Sequence, residues 1–199
     1  MHQIDLFVQN YFLLARTHEM TEVMYLLTIL FDFSFTFILI SVLVGVLVYI
    51  ARNLRYAVLF LSSLLLGGVF IYVSKIFFDV ARPLGGVVDA FGKSFPSGHT
   101  TIATIFFIML IYIFDPVVEL GLAQKAVQKK NQVHYKAGGH KRFLKLLFNF
   151  FCVLGIVSVS FSRIYLGVHW LSDVLGGIAL GMIVSYISVI FFRRFYKKI

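Results

Sequence analysis

VLGGIALGMIVSYISVIFF, residues 174–192, contains no charged side chain, and two arginines follow it at once, at 193 and 194. A helix crossing about 30 Å of hydrocarbon needs on the order of 20 mainly apolar residues, because each backbone polar group must be paired within the segment. The stretch therefore predicts a membrane-crossing α-helix. Four further runs meet the same criterion: residues 33–50, 56–74, about 99–114 and 143–161. Two of these have short charge-free centres, 100–114 and 146–161, so their helices extend into polar flanks and place His99 and Ser162 at a membrane face. The chain is 60% hydrophobic and 14% charged over 199 residues, too apolar to be covered by polar side chains in water. The expected fold class is all-α, an integral-membrane helical bundle of about five transmembrane helices forming one domain over residues 1–199.

Ahead of the first run, residues 3–15 are apolar but short and carry Asp5, Gln9 and Asn10. That pattern suits a helix lying in the interface, with residues 1–22 as an outer N-terminal segment; a crossing helix here would bring the total to six. Residues 1–20 lack a basic start, apolar core and small-residue cleavage site, so the first span is expected to serve as the insertion signal. Cys152 stands alone inside an apolar run, which excludes an intrachain disulfide.

The formal charge of +9 is confined to short segments between apolar runs, a distribution that orients a membrane protein rather than binding nucleic acid. Setting aside Lys75, Arg82 and Arg163, thirteen Lys and Arg fall on one side of the predicted bundle, and only Arg16 and Lys93 on the other. The first side is expected to be cytoplasmic, and residues 79–97 and 162–173 then share the outer face. Residues 124–142 (QKAVQKKNQVHYKAGGHKR) read as a basic cytoplasmic loop in which Gly138 and Gly139 break any helix before the fourth span. His134 and His140 lie in it, across the membrane from the other polar residues, and receive no catalytic role.

Three polar clusters gather at the outer face: KIFFDVARP at 75–83, PSGH at 96–99 and SRIYLGVHWLSD at 162–173. Ionisable groups at membrane depth cost about 2.5–3.5 kcal/mol on insertion scales, so they usually serve a site. Lys75 and Arg82 are seven residues apart, nearly two helical turns, which predicts both cations on one helix face with Pro83 ending the helix at Arg82. A guanidinium fork and a point charge suit a tetrahedral phosphate; a pair snorkelling to the interface is the plainer alternative. Ser97 is an N-cap candidate and Gly98 allows close approach, so the third span would open with N–H groups facing an anion and His99 beside it as a proton donor. An ordinary cap with an incidental histidine would look the same. His169 and Asp173, at i and i+4, would share a face if helical, the carboxylate holding one ring nitrogen and leaving the other as a nucleophile. Arg163 would fold over the same anion. A packed histidine beside a structural aspartate is the competing reading.

Taken together, Lys-x6-Arg-Pro, Pro-Ser-Gly-His and Ser-Arg-x5-His-x3-Asp, in this order and on one side of the membrane, resemble the type-2 phosphatidic acid phosphatase superfamily. That superfamily includes lipid phosphate phosphatases and the soluble vanadium haloperoxidases. The resemblance covers about residues 56–192, and many relatives carry a sixth span at the N-terminal end. It implies that Lys75, Arg82, Ser97, Gly98 and Arg163 bind phosphate, His169 attacks, Asp173 orients it, and His99 protonates the leaving group, with no metal and no cofactor. The expected substrate is a membrane lipid phosphomonoester or diphosphate, such as undecaprenyl diphosphate, phosphatidylglycerophosphate, phosphatidic acid or lipid A phosphate. The expected location is a bacterial inner membrane with the site on the periplasmic or extracellular face. A phosphotransferase of the same family and a non-enzymatic anion- or lipid-binding membrane protein are the alternatives. Asp79, Asp89 and Lys93 read as interfacial loop residues, with headgroup selection as the other possibility, and Tyr165 and Trp170 as aromatic-belt residues, with bracketing of an acyl or prenyl chain as the alternative.

Overall fold

Hydrocarbon leaves the backbone few ways to pair its polar groups, and helices are one of them. In the computed structural model, which describes residues 2–29, 35–114 and 139–196, all regular structure among the described residues is helical. The elements are α1 (His2–Ala15), α2 (His18–Ile29), α3 (Phe35–Ala51), α4 (Leu54–Phe78), α5 (Gly98–Phe114), α6 (Gly139–Tyr165) and α7 (Leu171–Tyr196). Three stretches are long and apolar enough to cross a bilayer, Leu54–Phe78, Arg142–Tyr165 and Leu171–Phe195, and two shorter apolar helices join them, Phe37–Ala51 and Gly98–Phe114. The chain is an integral-membrane helical bundle, and its apolar side chains point outward as well as inward, as a lipid solvent allows.

Helix α5, 17 residues long, is the most enclosed helix of the central packing. It contacts α4, α6 and α7, with Ile102, Ile105, Phe106, Met109 and Ile113 in the main apolar core beside Phe60 and Val184. Small residues let the backbones approach, the usual device where lipid supplies no hydrophobic drive between helices. A Cβ on Gly67 of α4 would stand 2.3 Å from Ile105 Cδ1, one on Gly155 of α6 2.4 Å from the Phe107 ring, and one on Gly181 of α7 2.6 Å from Thr104 Cβ. The buried hydroxyls of Thr101 and Thr104 donate to the carbonyls of Ser97 and Thr100, one turn back. Together these contacts fix the depth of the α5 N-terminus, which carries His99.

The structure departs from expectation in three places. Helix α4 stops at Phe78, four residues before Arg82, because Asp79 adopts the left-handed conformation (φ 50°) and its N–H closes on the Lys75 carbonyl. Helix α2 was not expected at all; it packs on α6 and crosses the proposed boundary at residue 22. Helix α1, by contrast, is the short helix expected there: it has 14 residues, about 21 Å at 1.5 Å per residue, too short to cross, and it rests on α6 and α7 with Phe12 edge-on to Phe161 and Tyr165. Helix α6 begins at Gly139, inside the expected 124–142 loop; residues 115–138, His134 among them, lie outside the described residues.

Gly181→Leu is expected to lower stability by about 1–3 kcal/mol through overpacking against Thr104. Gly68→Leu, whose added carbon would meet nothing within 4 Å, should leave it nearly unchanged. Thermal midpoints of the two variants in detergent check the contrast.

Candidate active site

Two loops and four helix ends converge at one end of the bundle. The loop of residues 79–97 joins α4 to α5, and the turn of residues 166–170 joins α6 to α7. They bound a cavity of about 810 Å³ lined by Lys75, Arg82, Gly98, His99, Arg163 and His169, with Thr21, Glu22, Tyr25, Thr28 and Ile29 of α2 along one wall. Val87 to Phe91, Asp89 included, complete the lining. Ser97 and Asp173 are buried just behind it.

His169 lies in the turn before α7, not on a helix face. Its neighbour Gly167 holds φ 69°, which lets the chain reverse tightly after α6. Asp173 reaches His169 by another route: it sits in the first turn of α7, where Oδ2 accepts from the Trp170 N–H at 2.8 Å as a helix cap. The same oxygen faces His169 Nδ1 at 3.3 Å and takes the hydroxyl of Ser94. Asp173 Oδ1 is buried without a hydrogen-bond partner among the described residues.

The other face of the imidazole settles the tautomer. Arg82 Nη1 lies 3.2 Å from His169 Nε2, and a guanidinium can only donate. Nε2 therefore accepts, and the proton belongs on Nδ1, toward Asp173. Burial, reinforced by Arg163, Arg82 and Lys75 and weakly opposed by Ser94, holds this imidazole well below the usual histidine range. The group is a neutral base whose free nitrogen faces a cationic cavity.

Arg82 is aimed by backbone carbonyls. Nε donates to Gly92, Nη2 to Phe91 and Nη1 to Val168 as well as facing His169. Lys75 and Arg82 thus meet at one cavity, but through the loop rather than along a shared helix face; Lys75 Nζ donates to the Lys93 carbonyl. Arg163, buried near the end of α6, donates from Nη1 to Thr28 Oγ1 of α2 at 2.5 Å. Ser97 stands where an N-cap belongs, yet its hydroxyl makes no capping bond and is buried without a partner among the described residues; its carbonyl instead accepts from Thr101 N. Asp79 and Lys93 pair with each other outside the cavity. Tyr165 is no belt residue: it is buried, and its hydroxyl accepts from Thr17 N at 3.0 Å. Trp170 donates from Nε1 to the Ala81 carbonyl.

Sequence reasoning missed Ser94, Thr28 and the α2 wall. Ser94 carries no local signal beyond being a serine two residues before Pro96, and Thr28 precedes the first span in a stretch that was not read as a helix.

Comparison with known proteins follows from this geometry. The family model of the PAP2 superfamily matches residues 56–197. Phosphatidylglycerophosphatase B of Bacillus subtilis strain 168 is 30% identical over 130 residues, 63% of this chain and 54% of that protein, so the match spans about half of that relative's length. An undecaprenyl-diphosphatase of Sulfolobus acidocaldarius is 50% identical over 40 residues, 19% of either chain. In fold, the chain is similar to the crystal structure of a transmembrane PAP2-type phosphatidylglycerolphosphate phosphatase from Bacillus subtilis, with a TM-score of 0.75 and 24% identity over 98% of this chain and 87% of that one. It is also similar to Aquifex aeolicus LpxE, with a TM-score of 0.65 and 19% identity over 92% and 93%.

An unburied histidine, with a pKa of about 6.5, is mostly protonated at about pH 5.5. His169, held lower, should still be neutral there as the Nδ1–H tautomer. ¹⁵N NMR of histidine-labelled protein checks this, and an imidazolium signal from His169 at that pH would contradict it.

Proposed function

This chain belongs to the PAP2 superfamily, and on that premise we propose that it hydrolyses a phosphate ester or diphosphate of a membrane lipid through a phosphohistidine. One observation carries the reading: a buried, neutral imidazole presents its unprotonated nitrogen to a cavity lined by Lys75, Arg82 and Arg163. The cations would hold the phosphoryl oxygens and offset the charge that develops during transfer. Ser97 Oγ, buried beside the α5 N-terminus, and the Gly98 N–H would complete the cradle.

In the first step His169 Nε2 forms a bond to phosphorus as the bond to the leaving oxygen breaks, and His99 gives that oxygen its proton. Arg82, which in the resting site donates to Nε2, would turn its fork onto phosphate oxygens and uncover the lone pair. Asp173, accepting from the Nδ1–H, stabilises the positive charge that the ring acquires. In the second step water attacks the phosphohistidine, His99 takes its proton, and inorganic phosphate leaves with His169 restored.

The excess of Lys and Arg on the opposite side supports a site on the periplasmic or extracellular face. Undecaprenyl diphosphate, phosphatidylglycerophosphate, phosphatidic acid and lipid A phosphate are the substrates to compare, with transfer to a second lipid in place of water as a variant of the second step.

Purified protein in detergent is expected to release phosphate from at least one of these lipids, and to do so in excess EDTA. His169→Ala should lower turnover by more than about 10³-fold, the scale of losing a nucleophile. Near-wild-type turnover in that variant, or activity abolished by EDTA and restored by magnesium, would sink the mechanism.

A further inference from the structure

Helices α1 and α2 lie outside the part of the chain that the family model matches, yet they and the break between them bind both loops of the site. We propose that this N-terminal segment belongs to the catalytic apparatus, with Arg16 and Asp5 as positioning residues that hold the Arg82 loop and the His169 turn in register. The inference rests on His169 as the nucleophile.

Arg16 sits in the break between α1 and α2 and spans the seam between the two loops. Its Nε donates to the Tyr165 carbonyl at 2.8 Å, at the end of α6, and its Nη1 to the Gly85 carbonyl at 2.7 Å, three residues after Arg82. The loops are shaped to admit it. Gly85 and Gly167 both hold positive φ, at 83° and 69°, and a Cβ on Gly167 would fall 2.1 Å from Arg16 Nη2. Around this crossing Val87 N donates to Leu166 O at 3.1 Å, and Arg82 itself donates to Val168 O at 2.8 Å. The guanidinium is therefore a staple supplied by neither loop, and its planar fork matches two carbonyls as a lysine cannot.

Asp5 secures the other end of the same turn. It is buried in α1 and accepts from both the N–H (2.9 Å) and the hydroxyl (2.8 Å) of Ser172. It thereby fixes the first turn of α7 immediately before Asp173. Two fastenings, one on each side of His169, come from the same N-terminal segment. A displacement of about 1 Å at a reacting group can cost 10²-fold in rate, so loosening either should reach the chemistry without removing any group that touches substrate.

The test is phosphate release by wild type, Arg16→Ala, Arg16→Lys and Asp5→Asn, with kcat, KM, the pH profile of kcat/KM and the thermal midpoint measured for each. Arg16→Ala is expected to lose about tenfold or more in kcat while KM changes less than about threefold. Its acid limb should move to higher pH. His169 is faced by Lys75 of α4, Arg82, His99 of α5, Arg163 of α6 and Asp173 of α7, and a loosened turn relaxes the burial that lowers its pKa. Millimolar guanidinium ion should restore part of the loss. Arg16→Lys, which keeps the charge and most of the packing, should fall between and move the limb in the same direction, and it carries the test if the alanine variant fails to fold. Asp5→Asn should lower kcat less than Arg16→Ala. A kcat within about twofold of wild type for Arg16→Ala, or a loss with the acid limb unmoved, overturns the proposal. A wild type silent on every lipid phosphate overturns the phosphatase reading, and this inference with it.

Discussion

One carboxylate oxygen ties the site together. Asp173 Oδ2 accepts from Trp170 N, from Ser94 and from the ring of His169, so the start of α7, the long loop and the imidazole are located by a single acceptor. A buried carboxylate is costly unless its donors are well placed, and that cost is what makes the arrangement specific. If any of the three donors moves, the oxygen loses a partner that water cannot replace at this depth. The orientation of the His169 ring and the beginning of a membrane helix are thus the same structural fact.

The helices serve that constraint by close approach. The α5 backbone runs against Gly177 and Gly181 of α7 so tightly that a Cβ on Gly177 would stand 2.8 Å from the Ser97 carbonyl. The Ser97 N–H in turn donates to the Asp173 carbonyl at 3.0 Å. The two helices that begin at the site are therefore joined backbone to backbone, and His99 and Asp173 keep their relative depth without a side-chain bridge between them.

What the sequence reveals follows from how each feature is specified. The spans were legible because hydrocarbon imposes a length and a composition on any crossing helix, and the family match and fold neighbours agree with that reading. Lys75, Arg82, His99, Arg163 and His169 stood out in the sequence as polar residues among greasy neighbours, and they do line one cavity, but the reasons given for two contacts were wrong. Lys75 and Arg82 meet through a loop that leaves the helix early at Asp79, and Asp173 meets His169 by capping a helix that starts after it. Ser94 and Thr28 were not legible. Their partners lie 79 and 135 residues away, and a hydroxyl's usefulness depends on distances that no local pattern encodes. Helix α2 was missed because Glu19 and Glu22 interrupt its apolar residues, and its stability comes from packing on α6 rather than from periodicity.

The rim of the cavity end is greasy. Leu84 and Phe91, in the loop that carries Arg82, are 86% and 89% exposed, and Leu14 at the end of α1 is 89% exposed. Side chains of this kind belong among acyl chains and glycerol backbones rather than in water. A site with such a rim would be immersed in a two-dimensional solvent. The quantity that would govern its encounters is the mole fraction of substrate in the leaflet, not its bulk molarity. Inert lipid or detergent would then act as a diluent, and occupancy would follow the composition of the surface around Leu84 and Phe91.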